Sequence, residues 1–310
     1  MNQMNILVTS PSFYKIDGDH KSVLEKHFKM IDYLPGPHDG NTMMKYSNKY
    51  DGIICGDDVI DDDFIKKSVP KLKVISKYGI GLDKIDIDSL KKNNVKLYNC
   101  AGVNSTTVAE HALGLLICGA KNILSASRET SNKIWNRKIG NDLSSLNLGI
   151  IGYGNVGKEV ERLSNKFFKK IIIYDIKFDD KIYPKNIYEN NINNLLLSSD
   201  LICLCLSLNK STRRLVNEDF INHLSNDTII VNVSRGEIVD EDAIAQGIKK
   251  NKIKNYITDV LEDEINFLNS DLVDNEKVFI TPHIASRTYE NIKRQGLMAS
   301  ENLLKGLNLL

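Results

Sequence analysis

Short apolar runs alternate with amphipathic stretches along almost the whole chain. Residues 5–9, 51–55, 72–76 and 95–99 read as short buried strands, and helices are expected around 22–28 and 61–67. Strands alternating with helices indicate βαβ units and a parallel sheet. The pattern changes at 106–123, a long helical stretch with Ser105 or Thr106 available as N-cap and an almost all-round apolar surface. Such a helix must be buried, under a second domain or against another subunit. A second series of strands follows at 148–152, 170–174, 201–206, 228–233, 257–261 and 278–280. An amphipathic stretch at 158–168 lies between the first two, and 291–307 reads as a terminal helix.

Length and composition narrow this picture. A chain of 310 residues suggests about two domains and needs neither disulfides nor a structural metal for its core. Lys and Arg number 41 against 40 Asp and Glu, so no global field favours nucleic acid or an anionic membrane. The apolar run 112–120 is far short of the ~20 residues a membrane span needs. Residues 1–5 lack a cationic segment leading into a long apolar one, so no signal peptide is expected. Five scattered cysteines, with Cys203 and Cys205 alternating inside a strand, fit free thiols in a reducing cytoplasm, and no metal site is expected.

The chemistry begins at Gly152-Tyr153-Gly154-Asn155-Val156-Gly157, a G-x-G-x-x-G that follows an apolar strand and opens an amphipathic stretch. Asp175 ends the next strand, 18 residues after Gly157. That spacing fits a dinucleotide fingerprint. Gly152 permits the tight turn, Gly154 lets backbone approach a pyrophosphate, and Gly157 lets helix pack on strand. Asp175 would accept from both ribose hydroxyls and repel a 2′-phosphate, which favours NAD over NADP.

Three later segments place polar residues where strands end: Arg235 with Gly236, the acidic turn 259–264, and His283 after Pro282. In an open parallel sheet these ends share one rim with the glycine loop. Arg235 offers a planar fork for a carboxylate or ketone oxygen. His283 can exchange the proton of a carbinol, and Glu264 can orient the imidazole and stabilise its cation.

With these segments in view, the sequence resembles the D-isomer-specific 2-hydroxyacid dehydrogenase family, near its phosphoglycerate-dehydrogenase-like branch. The matching segments are 77–86 (KYGIGLDKID), 104–111 (NSTTVAEH), the glycine loop, 232–236 (NVSRG), 259–264 and 282–284. The resemblance implies an α/β protein of two doubly wound parallel-sheet domains with the cleft between them. A flavodoxin-like substrate domain would comprise 1–100 plus 283–310, and a Rossmann NAD-binding domain 101–282. It implies Arg235 as substrate anchor, His283 as proton donor to the 2-keto oxygen, and Glu264, chosen over Glu262 by the family spacing, as its partner. Tyr78, Gly79, Ile80 and Gly81 would bind substrate, the backbone N–H groups of 79–81 holding its carboxylate. Asn155 and Val156 would contact the pyrophosphate. Asp259 and the carbonyls near Val233 would hold the nicotinamide carboxamide, with Ser234, Ala285 and Ser286 also in the cofactor set. The family's long helix is a dimer element, which would account for 106–123 and implies a homodimer.

The implied activity is NAD-dependent hydride transfer at C2 of a small D-2-hydroxy or 2-keto acid. Hydroxypyruvate, glyoxylate and D-lactate chemistry stay open beside phosphoglycerate, as does an NAD-sensing corepressor role on the same fold. A phosphorylated substrate needs a further cation. Lys77, Lys84 and Arg287 stand in suitable segments, but each reads as a solvated surface charge. Two departures touch loop rigidity and adenine packing: Ile265 follows Glu264 where the family has proline, and residues 204–207 read LCLS instead of LHLP.

Overall fold

The computed structural model describes residues 2–177 and 187–310. The chain divides into two compact units, one of residues 1–104 and 286–310, the other of residues 105–285.

In the first unit five strands form one sheet: β1 (Asn2–Val8), β2 (Phe28–Tyr33), β3 (Gly52–Cys55), β4 (Val74–Lys77) and β5 (Lys96–Asn99). Their order is β2-β1-β3-β4-β5 and every pairing is parallel. Successive side chains leave opposite faces of a strand, so two cores form. Leu7, Ile53 and Ile75 pack with Phe64, Ile65 and Leu90 on one face. Ile6, Val8, Ile54 and Val74 pack with Phe13, Leu24, Leu303 and Leu304 on the other. The last two belong to the terminal helix Tyr289–Gly306, N-capped by the Thr288 hydroxyl, which accepts from Asn291 N. This helix returns to the first unit, where the Ser76 hydroxyl donates to the Ala299 carbonyl at 2.8 Å.

In the second unit, six parallel strands follow: β6 (Asn147–Ile151), β7 (Lys170–Tyr174), β8 (Leu201–Leu204), β9 (Thr228–Asn232), β10 (Ile253–Thr258) and β11 (Val278–Ile280). The order is β7-β6-β8-β9-β10-β11. Outside β7, Tyr188 forms a parallel bridge with Ile173. The bridge is held by Ile173 N to Ile187 O at 2.7 Å and Glu189 N to Ile173 O at 2.8 Å. Again the sheet is covered on both faces. Ile150, Cys203, Val231 and Ile257 lie against Ala112, Leu116 and Ala120 of the helix Ser105–Ala120. Ile151, Ile202, Leu204 and Ile230 lie against Leu195, Phe220 and Ile244.

Both units are doubly wound α/β sheets. In each, chain direction diverges from one strand: β1 has β2 and β3 as neighbours, and β6 has β7 and β8. Ligands of such sheets bind outside the carboxyl ends at that divergence. The long apolar stretch ends at Ala120, because Asn122 turns left-handed at φ 56° and starts a second helix, Ile123–Ser131. No helix among the described residues is long and apolar enough to cross a membrane.

Candidate active site

The glycine loop sits at the divergence point of the second sheet, immediately after β6. Gly152 adopts φ 94°, and its N–H donates to Tyr174 O at 2.8 Å. A Cβ there would lie 2.5 Å from the Cys205 carbonyl oxygen. A Cβ at Gly157 would lie 2.1 Å from the Gly152 carbonyl oxygen, so helix and strand touch through backbone alone. At Gly154 a Cβ would meet nothing within 4 Å. The chain itself therefore does not require that glycine, and the space beside it suits a ligand that approaches the backbone. Asn155 and Val156 open the helix Asn155–Ser164, whose N-cap Gly154 supplies no side-chain hydrogen bond. Its first N–H groups and positive dipole end suit a pyrophosphate.

Asp175 follows β7, and its carboxylate accepts from Tyr153 N at 2.7 Å and from Lys177 N at 2.8 Å. It thus pins the glycine loop. The open space at Gly154, the uncapped helix and this acid fit a dinucleotide.

Past β9, Ser234 stitches two strand ends together. Its hydroxyl donates to Leu204 O at 2.7 Å and accepts from Leu206 N at 2.8 Å, and Ser234 N donates to Asn232 Oδ1 at 2.9 Å. Val233 is half-buried against the core. Arg235 is half-buried, its Nη1 donating to Ser234 O at 2.8 Å and its carbonyl accepting from Asn232 Nδ2 at 3.1 Å. The next residue joins this turn to the acidic one. A Cβ on Gly236 would lie 2.0 Å from the Leu261 carbonyl carbon and 2.3 Å from Glu262 N. Those are backbone atoms, so Gly236→Ala must push the Arg235 and Glu264 turns apart. Overpacking of this kind costs about 1–3 kcal/mol, and thermal unfolding of G236A is expected to show that loss together with a fall in kcat/KM.

Glu264 and His283 meet. Nδ1 of His283 lies 3.0 Å from Glu264 Oε2 and 2.9 Å from Oε1. Glu262 points elsewhere, 3.6 Å from Arg214. The His283 backbone is left-handed at φ 52°, a costly state for a residue with a Cβ. The buried carboxylate of Asp259 over-determines it. Asp259 Oδ1 accepts from Thr281 Oγ1 at 2.6 Å and Ile284 N at 2.9 Å, Oδ2 accepts from Ala285 N at 2.8 Å, and Asp259 O accepts from His283 N at 2.9 Å. The sequence points Asp259 towards the cofactor and hides this clamp, whose members become neighbours only when β10 and β11 pair.

The remaining sequence-derived residues lie in the first unit. Gly79 adopts φ 134° and its carbonyl accepts from Cys100 N at 2.8 Å. The Ile80 carbonyl accepts from Asn99 Nδ2 at 2.9 Å. Gly81 is half-buried beside them. The Tyr78 hydroxyl donates to Ile292 O at 3.3 Å, and burial pushes its pKa up. The Ser286 carbonyl accepts from Asn291 Nδ2 at 2.7 Å. Lys84 and Arg287 are exposed. Lys77 departs from expectation. It is 4 % exposed, not a solvated charge, and its ammonium donates to Asp57 at 2.6 Å and to the Gly56 carbonyl. It ends β4, an internal strand whose four residues are all buried.

A glycine loop built for a dinucleotide and an imidazole–carboxylate dyad within one unit are the equipment of a nicotinamide-dependent oxidoreductase. The sequence comparisons agree. Residues 113–285 match the D-isomer specific 2-hydroxyacid dehydrogenase, NAD binding domain. A hydroxypyruvate reductase of Thermotoga maritima is 34% identical over 242 residues, 77% of this chain and 78% of that protein. A D-3-phosphoglycerate dehydrogenase of Archaeoglobus fulgidus is 32% identical over 84% of this chain but only 50% of its own length. Among solved structures, the TT0316 protein of Thermus thermophilus superposes with a TM-score of 0.87 at 24% identity, covering 98% of this chain and 97% of that one, a likeness of fold. The chain belongs to the D-isomer specific 2-hydroxyacid dehydrogenase family. It is an NAD-binding oxidoreductase acting on the CH–OH group of 2-hydroxy acids.

Proposed function

We propose that this chain reduces small unphosphorylated 2-keto acids of the hydroxypyruvate and glyoxylate type, with NADH, to D-2-hydroxy acids. The paired contact of Glu264 with Nδ1 of His283 carries the reading. With Nδ1 held by the carboxylate, Nε2 is the nitrogen that exchanges a proton with the substrate oxygen. Glu264 orients the imidazole for that transfer and sets a carboxylate charge against it. Arg235 binds the substrate carboxylate and the keto oxygen, and offsets charge developing on that oxygen. In the first unit, the N–H groups of Gly79, Ile80 and Gly81, beside Tyr78, are suited to a carboxylate. Bound NADH supplies the hydride; Gly152, Gly154, Asn155, Val156, Gly157, Asp175, Val233, Ser234, Asp259, Ala285 and Ser286 form its site.

One observation favours an unphosphorylated substrate. The charge of Lys77 is already matched by Asp57 at 2.6 Å. NADH oxidation with hydroxypyruvate, glyoxylate, pyruvate and 3-phosphohydroxypyruvate tests the proposal. The first two are expected to give the highest kcat/KM, and a preference for the phosphorylated acid would overturn it.

Cofactor choice follows from Asp175. A 2′-phosphate beside that carboxylate is repelled, so NADH is expected to bind at least about tenfold, or roughly 1.4 kcal/mol, more tightly than NADPH. Asp175→Ala is expected to narrow the ratio in a fluorescence titration.

A homodimer is part of the same proposal. The apolar residues of the helix Ser105–Ala120 are mostly buried in their own core. Exposed apolar side chains come just after it: Ile123, Ile134, Trp135 at 81 % and Ile139 at 90 %. These are the surface we assign to a second copy, tested by the mass in solution of wild type and Trp135→Glu.

A further inference from the structure

The Asp259 clamp has a further member, outside the rim that carries the chemistry. His111, on the helix Ser105–Ala120, places Nε2 3.2 Å from Thr281 Oγ1 and 3.6 Å from Asp259 Oδ1. Hydrogen counting fixes the direction of this chain. A threonine hydroxyl has one proton, and an ionised carboxylate can only accept. Thr281 Oγ1 lies 2.6 Å from Asp259 Oδ1, so it gives its proton to Asp259. Nothing remains for it to donate to His111. The imidazole must therefore carry its proton on Nε2 and donate to Thr281.

The consequence reaches His283. Asp259 Oδ1 is shared by Thr281 Oγ1 and Ile284 N, the N–H of the residue after His283. Thr281 itself closes the turn from the other side, its carbonyl accepting from His283 N at 2.9 Å. The Thr281 hydroxyl thus anchors the segment 281–285 at its start, and the Asp259 carboxylate anchors it beyond His283. If the hydroxyl rotated to another acceptor, Asp259 would lose its shortest hydrogen bond and the left-handed turn one of its restraints. His111 prevents this by occupying the hydroxyl's lone pair.

We propose that His111 is a positioning residue for the reaction. It acts through Thr281 and Asp259 to hold His283 in its left-handed conformation, and it touches neither substrate nor cofactor. This rests on the assignment of His283 as proton donor.

The test has one arm that is independent of turnover. In ¹⁵N-histidine NMR, the resonance lost in His111→Gln is expected to show a protonated Nε2. An Nδ1–H form with bare Nε2 would overturn the hydrogen-bond direction whether or not His283 is the acid. The kinetic arm compares His111→Leu, His111→Gln and Thr281→Ala. H111L is expected to lower kcat about tenfold while leaving the NADH Kd within about twofold, because positioning is read in turnover. H111Q keeps an N–H donor at similar reach and is expected to recover most of kcat. In the T281A background H111L is expected to add nothing, since the two act in series. Equal loss in H111Q and H111L, or additive effects with T281A, would reduce His111 to a packing residue and overturn the proposal. Absence of wild-type turnover with every 2-keto acid would instead sink the functional reading and leave the NMR result standing. Should H111L fail to fold, H111Q and Thr281→Ser against T281A give the same comparison.

Discussion

Replacing His283 by alanine is expected to lower kcat for 2-keto acid reduction by ~10²–10⁴, with the Kd for NADH nearly unchanged. That is the range removed when a positioned acid is lost, about 2.7–5.5 kcal/mol of barrier. The effect belongs to the imidazole and not to the turn, because Asp259 holds the segment through Thr281, Ile284 N and Ala285 N, all of which the alanine variant retains. Glu264→Gln is expected to cost less. It keeps an acceptor that orients Nδ1 and removes only the negative charge beside it, so part of kcat should remain. Stopped-flow NADH oxidation separates these cases. An alanine variant turning over at the wild-type rate would remove His283 from the chemistry.

The second large effect is a contrast between two glycines three residues apart. Gly154→Ala is expected to fold normally, since its Cβ meets nothing within 4 Å, and yet to lose NADH affinity by an order of magnitude or more. The methyl would occupy the space that a pyrophosphate uses to reach the backbone. Gly157→Ala meets the Gly152 carbonyl oxygen at 2.1 Å, so strand and helix must separate. Its loss is expected mainly in stability, about 1–3 kcal/mol or more. Unfolding midpoints and NADH titration of the two variants should therefore rank them in opposite orders. A Gly154→Ala variant with full NADH affinity would show that nothing approaches the backbone there.

How much of this was legible in the sequence depends on whether information is local. The apolar runs at 5–9, 51–55 and 148–152 correspond to β1, β3 and β6 because strands covered on both faces are apolar throughout. The edge strand β2 went unread, since only Phe28 of its residues is fully buried and its start looks like a helix end. The Tyr188 bridge is too short to leave a pattern. At the site, the glycine loop with Asp175 could be read directly because its spacing is a backbone requirement. Arg235, Glu264 and His283 needed the family resemblance, as no local pattern selects Glu264 over Glu262. The burial of Lys77, the Asp259 clamp and the place of His111 in it were invisible. They depend on which strand ends become neighbours, a property of the sheet order.

We assign Arg235, Glu264 and His283 to NADH-dependent reduction of a 2-keto acid to the D-hydroxy acid. Incubation of the wild-type protein with NADH and hydroxypyruvate, followed by chiral analysis of the glycerate formed, tests it most directly. Stoichiometric NADH oxidation and D-glycerate alone are expected. L-glycerate, or no NADH oxidation with hydroxypyruvate or glyoxylate, would contradict it.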